Sequence, residues 1–262
     1  RLRITIGNTY QALGLYERAE KELVRGLDIR RDALGAEHPD TLRALQSYAN
    51  LMLDVGRYDA AERDFESLLE TRRRLLGETH EDTLWAKHNL ATVYQEQGRF
   101  DIAEPLHDEV LELRVESLGE NHLDTLKTFE NLANLYFARG EYERAGTIYA
   151  RVFRGRVIEL GPKHPDTLDA LNNLAAADHI EGRFELAEER YRTSREVRGT
   201  EHPQTLVALS NLGELYGDIG RRSEAEELLR EALQTKERVL GLDHPSTQYT
   251  RKVLDRLLDS PG

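Results

Sequence analysis

The 262-residue sequence has no cysteine, one methionine, one tryptophan and only seven prolines. Without cysteine there is no disulfide, no thiol nucleophile and no Cys-ligated zinc, which fits a reducing, cytoplasmic setting. Positive charge is also short: 36 Lys and Arg stand against 48 Asp and Glu, a net charge of −12. A chain of that sign is poorly suited to wrap a phosphate backbone, so no nucleic-acid partner is expected. No apolar run approaches the length of a membrane span, and no secretory signal is visible in a sequence that opens in mid-pattern. Nothing supplies a nucleophile with its base, a Gly-rich phosphate loop or a convergent carboxylate pair, so neither an enzyme nor any cofactor is implied.

What the sequence does have is self-similarity. A histidine motif occurs at His38, His80, His122, His164, His202 and His244, spaced 42, 42, 42, 38 and 42 residues apart. Glycines recur at Gly14, Gly56, Gly98, Gly140, Gly182 and Gly220, each followed five residues later by alanine: Ala19, Ala61, Ala103, Ala145, Ala187 and Ala225. These marks divide the chain into units at 1–37 (incomplete at its start), 38–79, 80–121, 122–163, 164–201 and 202–243, with a closing helix at 244–259. One run of repeats over 1–262 is expected, with no separate domains.

Each unit predicts two helices. Leu45, Tyr48, Ala49 and Met52 fall at i, i+3, i+4 and i+7, as do Phe129, Leu132, Ala133 and Tyr136, and Leu209, Leu212, Gly213 and Tyr216. The recurrent glycine ends the first helix, and the alanine lets the second approach it closely. Neither stripe is buried by one pair alone, so the pairs must stack. Acids early in the second helix (Glu62, Glu104, Glu188, Glu226) and basic residues late in it (Arg30, Arg31, Arg72, Arg73, Arg74, Arg198, Arg238) complement the helix dipole. The Arg72–Arg74 run is therefore expected at a helix end rather than on a nucleic acid.

Proline is favoured in the first turn of a helix, so His-Pro-Asp-Thr announces each new first helix. The histidine is expected to hydrogen-bond the turn backbone. Metal binding would need convergent ligands, whereas equivalent residues of successive units lie about two helix diameters, roughly 20 Å, apart.

The pattern "LG-x-x-HPDTL…NNLA…GRF-x-x-AE-x-x-Y" resembles tetratricopeptide repeats, and its 42-residue period is similar to the kinesin-light-chain type. The resemblance covers essentially the whole chain. It implies an all-α, right-handed superhelical solenoid of antiparallel helix pairs whose first helices line a concave groove for extended peptides. The family also includes bacterial members attached to kinases or ATPases and cytoskeleton-associated adaptors, so a regulatory or self-associating role is the alternative to a peptide scaffold. Departures cluster late. The fifth unit is four residues short, Asp178 stands where other units have tyrosine, and Arg222 stands where they have an aromatic. Pro105 is expected in opening turns where the helical ladder is incomplete.

On that resemblance, the groove residues are those opposite the core stripe: Arg43, Ser47, Asn50 and Asp54; Trp85, His88, Asn89, Thr92 and Glu96; Lys127, Glu130, Asn131 and Asn134; Asp169, Asn172 and Asn173; Ser210, Asn211 and Glu214. Asn89, Asn131, Asn173 and Asn211 form one column, and Asn8, Asn50 and Asn134 part of a second. Asparagine is a mediocre helix former, but its amide can both donate to and accept from a peptide backbone. The same amides could instead join helix to helix. Trp85 is either an exposed anchor for a partner or packed under a neighbouring helix. Acids weighted to the C-terminal half (Glu130, Asp169, Glu214, Asp218) predict a partner segment that is partly basic. A catalytic set around Trp85, His88 and Glu96 would lack a nucleophile. Homo-oligomerisation through the first repeat or the outer face is the remaining partner class. The closing "DSPG" after the last helix reads as a natural end, and the opening inside a first helix as a truncated one.

Overall fold

The computed structural model describes residues 2–198 and 203–259, without the side chains of 197–198 and 203–204. His202 and the side chain of Arg198 lie outside the described residues. These form helices only: α1 (Leu2–Ala12), α2 (Tyr16–Leu34), α3 (Pro39–Asp54), α4 (Tyr58–Leu76), α5 (Glu81–Glu96), α6 (Phe100–Leu118), α7 (Leu123–Ala138), α8 (Tyr142–Leu160), α9 (Pro165–Ile180), α10 (Phe184–Arg198), α11 (Pro203–Asp218), α12 (Arg222–Val239) and α13 (Pro245–Asp259). They fall into two compact units, Arg1–Ser117 and Leu118–Gly262. Within each, consecutive helices pack as hairpins joined by short turns. In the shortened fifth repeat the second helix is described over Phe184–Arg198.

Both punctuation marks have a local cause. His38, His80, His122, His164 and His244 each precede a first helix, and each Nδ1 accepts the N–H two residues on, at 3.1 to 3.3 Å. The imidazole thus replaces the usual Ser or Asp as N-cap, which requires a neutral ring with its proton on Nε2. At the other end, the N–H of Arg57 reaches back to Met52 O at 2.8 Å across Gly56, whose φ of 73° suits only glycine well. The same closing bond runs from Leu15 to Tyr10, Arg99 to Tyr94, Glu141 to Tyr136, Arg183 to Asp178 and Arg221 to Tyr216.

The core follows the expected stripes. Ala19, Ala61, Ala103, Ala145, Ala187 and Ala225 are all fully buried, and Phe129, Leu132, Ala133, Tyr136, Leu209, Leu212 and Tyr216 are buried, while Leu45 and Tyr48 are half-buried. Size is matched across each hairpin. A Cβ added to Gly7 would stand 2.6 Å from Leu23, and one on Gly213 would stand 2.8 Å from Leu229. Where the second helix instead carries a flat ring (Phe65, His107, Tyr149, Tyr191), the first helix carries alanine (Ala49, Ala91, Ala133, Ala175).

The irregular positions are compensated. Asp178 is buried, but Arg183 and Arg190 both pair with it, the former at 2.7 Å. Arg183 occupies the place of Arg99 and Arg221, which lie over Tyr94 and Tyr216, so a carboxylate has replaced a ring as the cation's partner. Arg222 donates to Leu258 O on the last helix at 3.0 Å. Pro105 differs from expectation. The ladder of α6 is already closed by Ala103 N–H to Arg99 O, so the proline removes one interior bond on an exposed face.

Replacing His164 by alanine should lower stability by about 1 kcal/mol, whereas His164→Asn, which keeps an acceptor at the cap, should retain most of it. The comparison is read as the shift of the urea midpoint, and equal losses in the two variants would contradict the capping role.

Candidate functional site

The last turns of the second helices hold something other than surface charge. Arg72 is buried and donates to Asp82 O at 3.0 Å and to Gln46 Oε1 at 2.7 Å. It thereby links the first helix of its own repeat to the opening turn of the next. Arg30 donates to Asp40 O and Arg156 to Asp166 O, each at 3.0 Å, and Lys236 lies 3.4 Å from Ser246 O. Arg156 also makes two bonds to Glu130, at 2.9 and 3.0 Å. Lys236 binds Ser210 Oγ at 2.9 Å and Thr250 Oγ1 at 2.8 Å, and burial brings its pKa down to about 8. Arg114, buried at the same position, pairs with Glu81.

This column removes several residues from the expected open face. His88, Glu130, Asn172 and Ser210 stand where Gln46 does, and all four are buried; Glu130 and Ser210, like Gln46, meet the buried cation of their repeat. Glu130 is spent on Arg156. Burial alone would raise its pKa, but the Arg156 hydrogen bonds and the Lys127 charge outweigh that and hold it below the usual value. Asn131 is buried as well. These are corrections to the sequence expectation, and they share one cause: at 3.6 residues per turn, a position adjacent to the groove faces the next helix in the stack.

The remaining first-helix positions are accessible. In Arg1–Ser117, Asn8, Arg43 and Asp54 are exposed, while Ser47, Asn50, Trp85, Asn89 and Thr92 are half-buried. Asp54 accepts from Gln11 Nε2 of the preceding repeat at 2.7 Å. The Asn89 amide donates to Trp85 O at 2.8 Å and the Thr92 hydroxyl to His88 O at 3.0 Å, both within α5. Trp85 lies between the two sequence readings. Its ring centroid is 5.8 Å from that of Phe65, and the Arg72 guanidinium sits 5.7 Å from it, which leaves the indole only partly open.

In Leu118–Gly262, Lys127 is exposed, and Asn134, Asp169, Asn173, Asn211 and Glu214 are half-buried. Some of these amides serve the stack: Asn134 Oδ1 accepts from the Tyr149 hydroxyl at 2.6 Å, and Asn211 bonds Tyr191. A cavity of about 530 Å³ opens on this face and is lined from α7, α9, α10, α11 and α13. Phe137, Phe184, Tyr191 and Tyr249 form its walls, with Glu214 and Asp218 beside them. His179 Nε2 is 2.9 Å from Asp218 Oδ2, and the Tyr249 hydroxyl donates to Glu214 Oε2 at 2.8 Å. Burial and the bond to Glu214 push the Tyr249 pKa up to about 12. No sequence motif marked this cavity, although Tyr249 stands at the position of Trp85, counted from each unit's histidine.

His107 has no counterpart in the expected site. It is fully buried, its ring lies edge-on to His88 at 5.4 Å, and neither of its nitrogens has a hydrogen-bond partner. Burial lowers its pKa from 6.5 to about 4.

Residues 1–74, 47–114, 82–156 and 124–198 match the tetratricopeptide repeat family, and residues 205–246 match a second form of the same repeat. Among solved structures, the nearly identical TPR-like repeats of a Podosopora anserina protein named for kinesin light chain are 26% identical. The match covers 77% of this chain and 98% of that one, with a TM-score of 0.65. A single-substitution variant of the same Podosopora anserina repeats is 25% identical over 77% of this chain and 97% of its own, with a TM-score of 0.66. BtubC (BKLC) from P. vanneervenii has a TM-score of 0.71 over 88% of this chain and 94% of its own, at 20% identity, a likeness of fold alone. None of the curated proteins matches the chain.

The buried histidine makes a pH prediction. Above 6.5 His107 is neutral whether folded or unfolded. As pH falls towards 4, the unfolded chain takes up a proton that the folded one refuses. Stability should drop by about 1.4 kcal/mol per pH unit across that window, on the order of 3 kcal/mol in all. His107→Phe, which installs the residue type of Phe65, should be more stable than the parent by a margin that grows over this range. A margin independent of pH in urea titrations would contradict the assignment.

Proposed function

Because the chain belongs to the tetratricopeptide repeat family, we propose that it binds an extended protein or peptide segment along the face made by its first helices. Repeats of this family are scaffolds for protein–protein interaction, and the chain is read here as a non-catalytic one. In support, this face carries accessible polar side chains in each unit. Arg43, Asn50 and Asp54 in one unit, and Lys127, Asp169, Asn173 and Glu214 in the other, stand at the same side of successive first helices.

A row of amides and hydroxyls suits the alternating N–H and C=O groups of an extended backbone. Asn50, Asn89, Asn173 and Asn211 would fill that role, the last three with the amide atoms not engaged by Trp85 O, Glu130 and Tyr191. The charges add direction. Asp169, Glu214 and Asp218 favour a ligand whose basic part lies over repeats four to six, with long-range attraction that salt weakens. Glu130, held by Arg156, contributes little to that field.

The test is a random peptide library selected on the whole chain, followed by hydrogen-exchange footprinting of a bound peptide. Protection should fall on first helices, with binding weakened about tenfold by Asp169→Lys with Glu214→Lys and reduced by added salt. Protection confined to the second helices, or affinity indifferent to both changes, would overturn the reading.

A further inference from the structure

The cavity on the first-helix face of Leu118–Gly262 differs from the rest of that face in being walled by rings. Phe137, Phe184, Tyr191 and Tyr249 bound it, and Glu214 and Asp218 supply negative charge at their edge. A volume of about 530 Å³ is within the range that holds a side chain or small ligand.

The chain's own packing shows what such a combination holds. The Arg221 guanidinium lies 3.8 Å from the centroid of Tyr216 and bonds Glu188 at 3.1 Å, while the Tyr216 hydroxyl donates to the same Glu188 at 2.6 Å. Arg99 lies 4.3 Å from the centroid of Tyr94 and bonds Glu62 at 2.9 Å, with the Tyr94 hydroxyl on Glu66 at 3.2 Å. Each is a tyrosine donating to a carboxylate, with an arginine guanidinium over the ring. Tyr249 and Glu214 repeat the tyrosine–carboxylate half of this arrangement, with Tyr249 itself 48% exposed.

We propose that this cavity receives the guanidinium of an arginine carried by the bound segment, stacked on Tyr249 and paired with Glu214 and Asp218. The proposal rests on the groove reading above and names the side chain that anchors the ligand there. His179 fixes Asp218 through one oxygen. Arg256 lies 3.8 Å from Glu214, but its side chain is 73% exposed, so it meets the carboxylate from the solvent side and holds it weakly. A guanidinium fits better than an ammonium because its flat face stacks on a ring while its edge pairs with a carboxylate. An acidic side chain would meet two like charges.

The probes are N-acetyl-arginine amide and its neutral isostere N-acetyl-citrulline amide, titrated into the whole chain and followed by amide chemical shifts in NMR. Shifts centred on Asn211, Glu214, Asp218 and Tyr249 are expected with arginine, and binding at least about tenfold weaker with citrulline. Glu214→Gln and Tyr249→Leu, each checked for unchanged helicity, should weaken arginine binding to a similar degree. Equal binding of the two amides, or arginine binding unaffected in both variants, overturns the proposal. Library peptides that protect first helices but contain no arginine and leave these four signals unmoved also overturn it, and leave the groove reading intact. Arginine amide binding at these residues with no selected peptide on any first helix supports the pocket and removes the groove reading alone.

Discussion

In the second, fourth and sixth repeats a buried cation joins the helical hairpin to the helix that follows. Arg72, Arg156 and Lys236 lie almost wholly inside the protein, and each reaches the main-chain carbonyl two residues into the following first helix. A charge placed there is costly unless it is paired and hydrogen-bonded, and its partners come from two different repeats. Arg156 meets a carboxylate, Arg72 an amide, and Lys236 two hydroxyls, so the partner side chain varies while the carbonyl contact recurs. This ties the spacing of the repeats to the reach of one side chain.

The same constraint shapes the binding face. Where such a cation is present, the first helix has one side towards its own second helix, one towards the cation and one towards solvent. Gln46, Glu130 and Ser210 belong to the second side, and His88 and Asn172 at the same position are buried too, which leaves the accessible face narrower than a two-sided helix would give. Within that strip the charge is sparse, so single carboxylates such as Glu214 count for more. Where the strip meets rings, around Tyr249 and Phe184, it deepens into a cavity able to hold a single side chain.

The helices were almost entirely legible in the sequence, because they depend on local signals: a histidine cap, a glycine stop, and apolar residues at helical spacing. Leu132, Ala133 and Tyr136 are buried as that spacing requires. The face was legible only in part. Periodicity separates core from surface but cannot tell a residue facing solvent from one facing the next repeat, which is why Glu130 and Asn131 look open in the sequence and are buried in the fold. Arg72 resembles its neighbours Arg73 and Arg74, and only its contacts distinguish it. His107 could have been noticed, since it is the one titratable imidazole in a column otherwise filled by Leu23, Phe65, Tyr149, Tyr191 and Leu229.

The most direct measurement is a double-mutant cycle on Arg156 and Glu130, followed by denaturant unfolding. Arg156→Met alone should cost roughly 3–5 kcal/mol, because Glu130 is left buried without its partner, and combining it with Glu130→Leu should recover most of that loss. A single-variant cost below about 1 kcal/mol, or losses that simply add, would contradict the claim that the cation reaching Asp166 O of the next repeat is buried and held by Glu130 of its own.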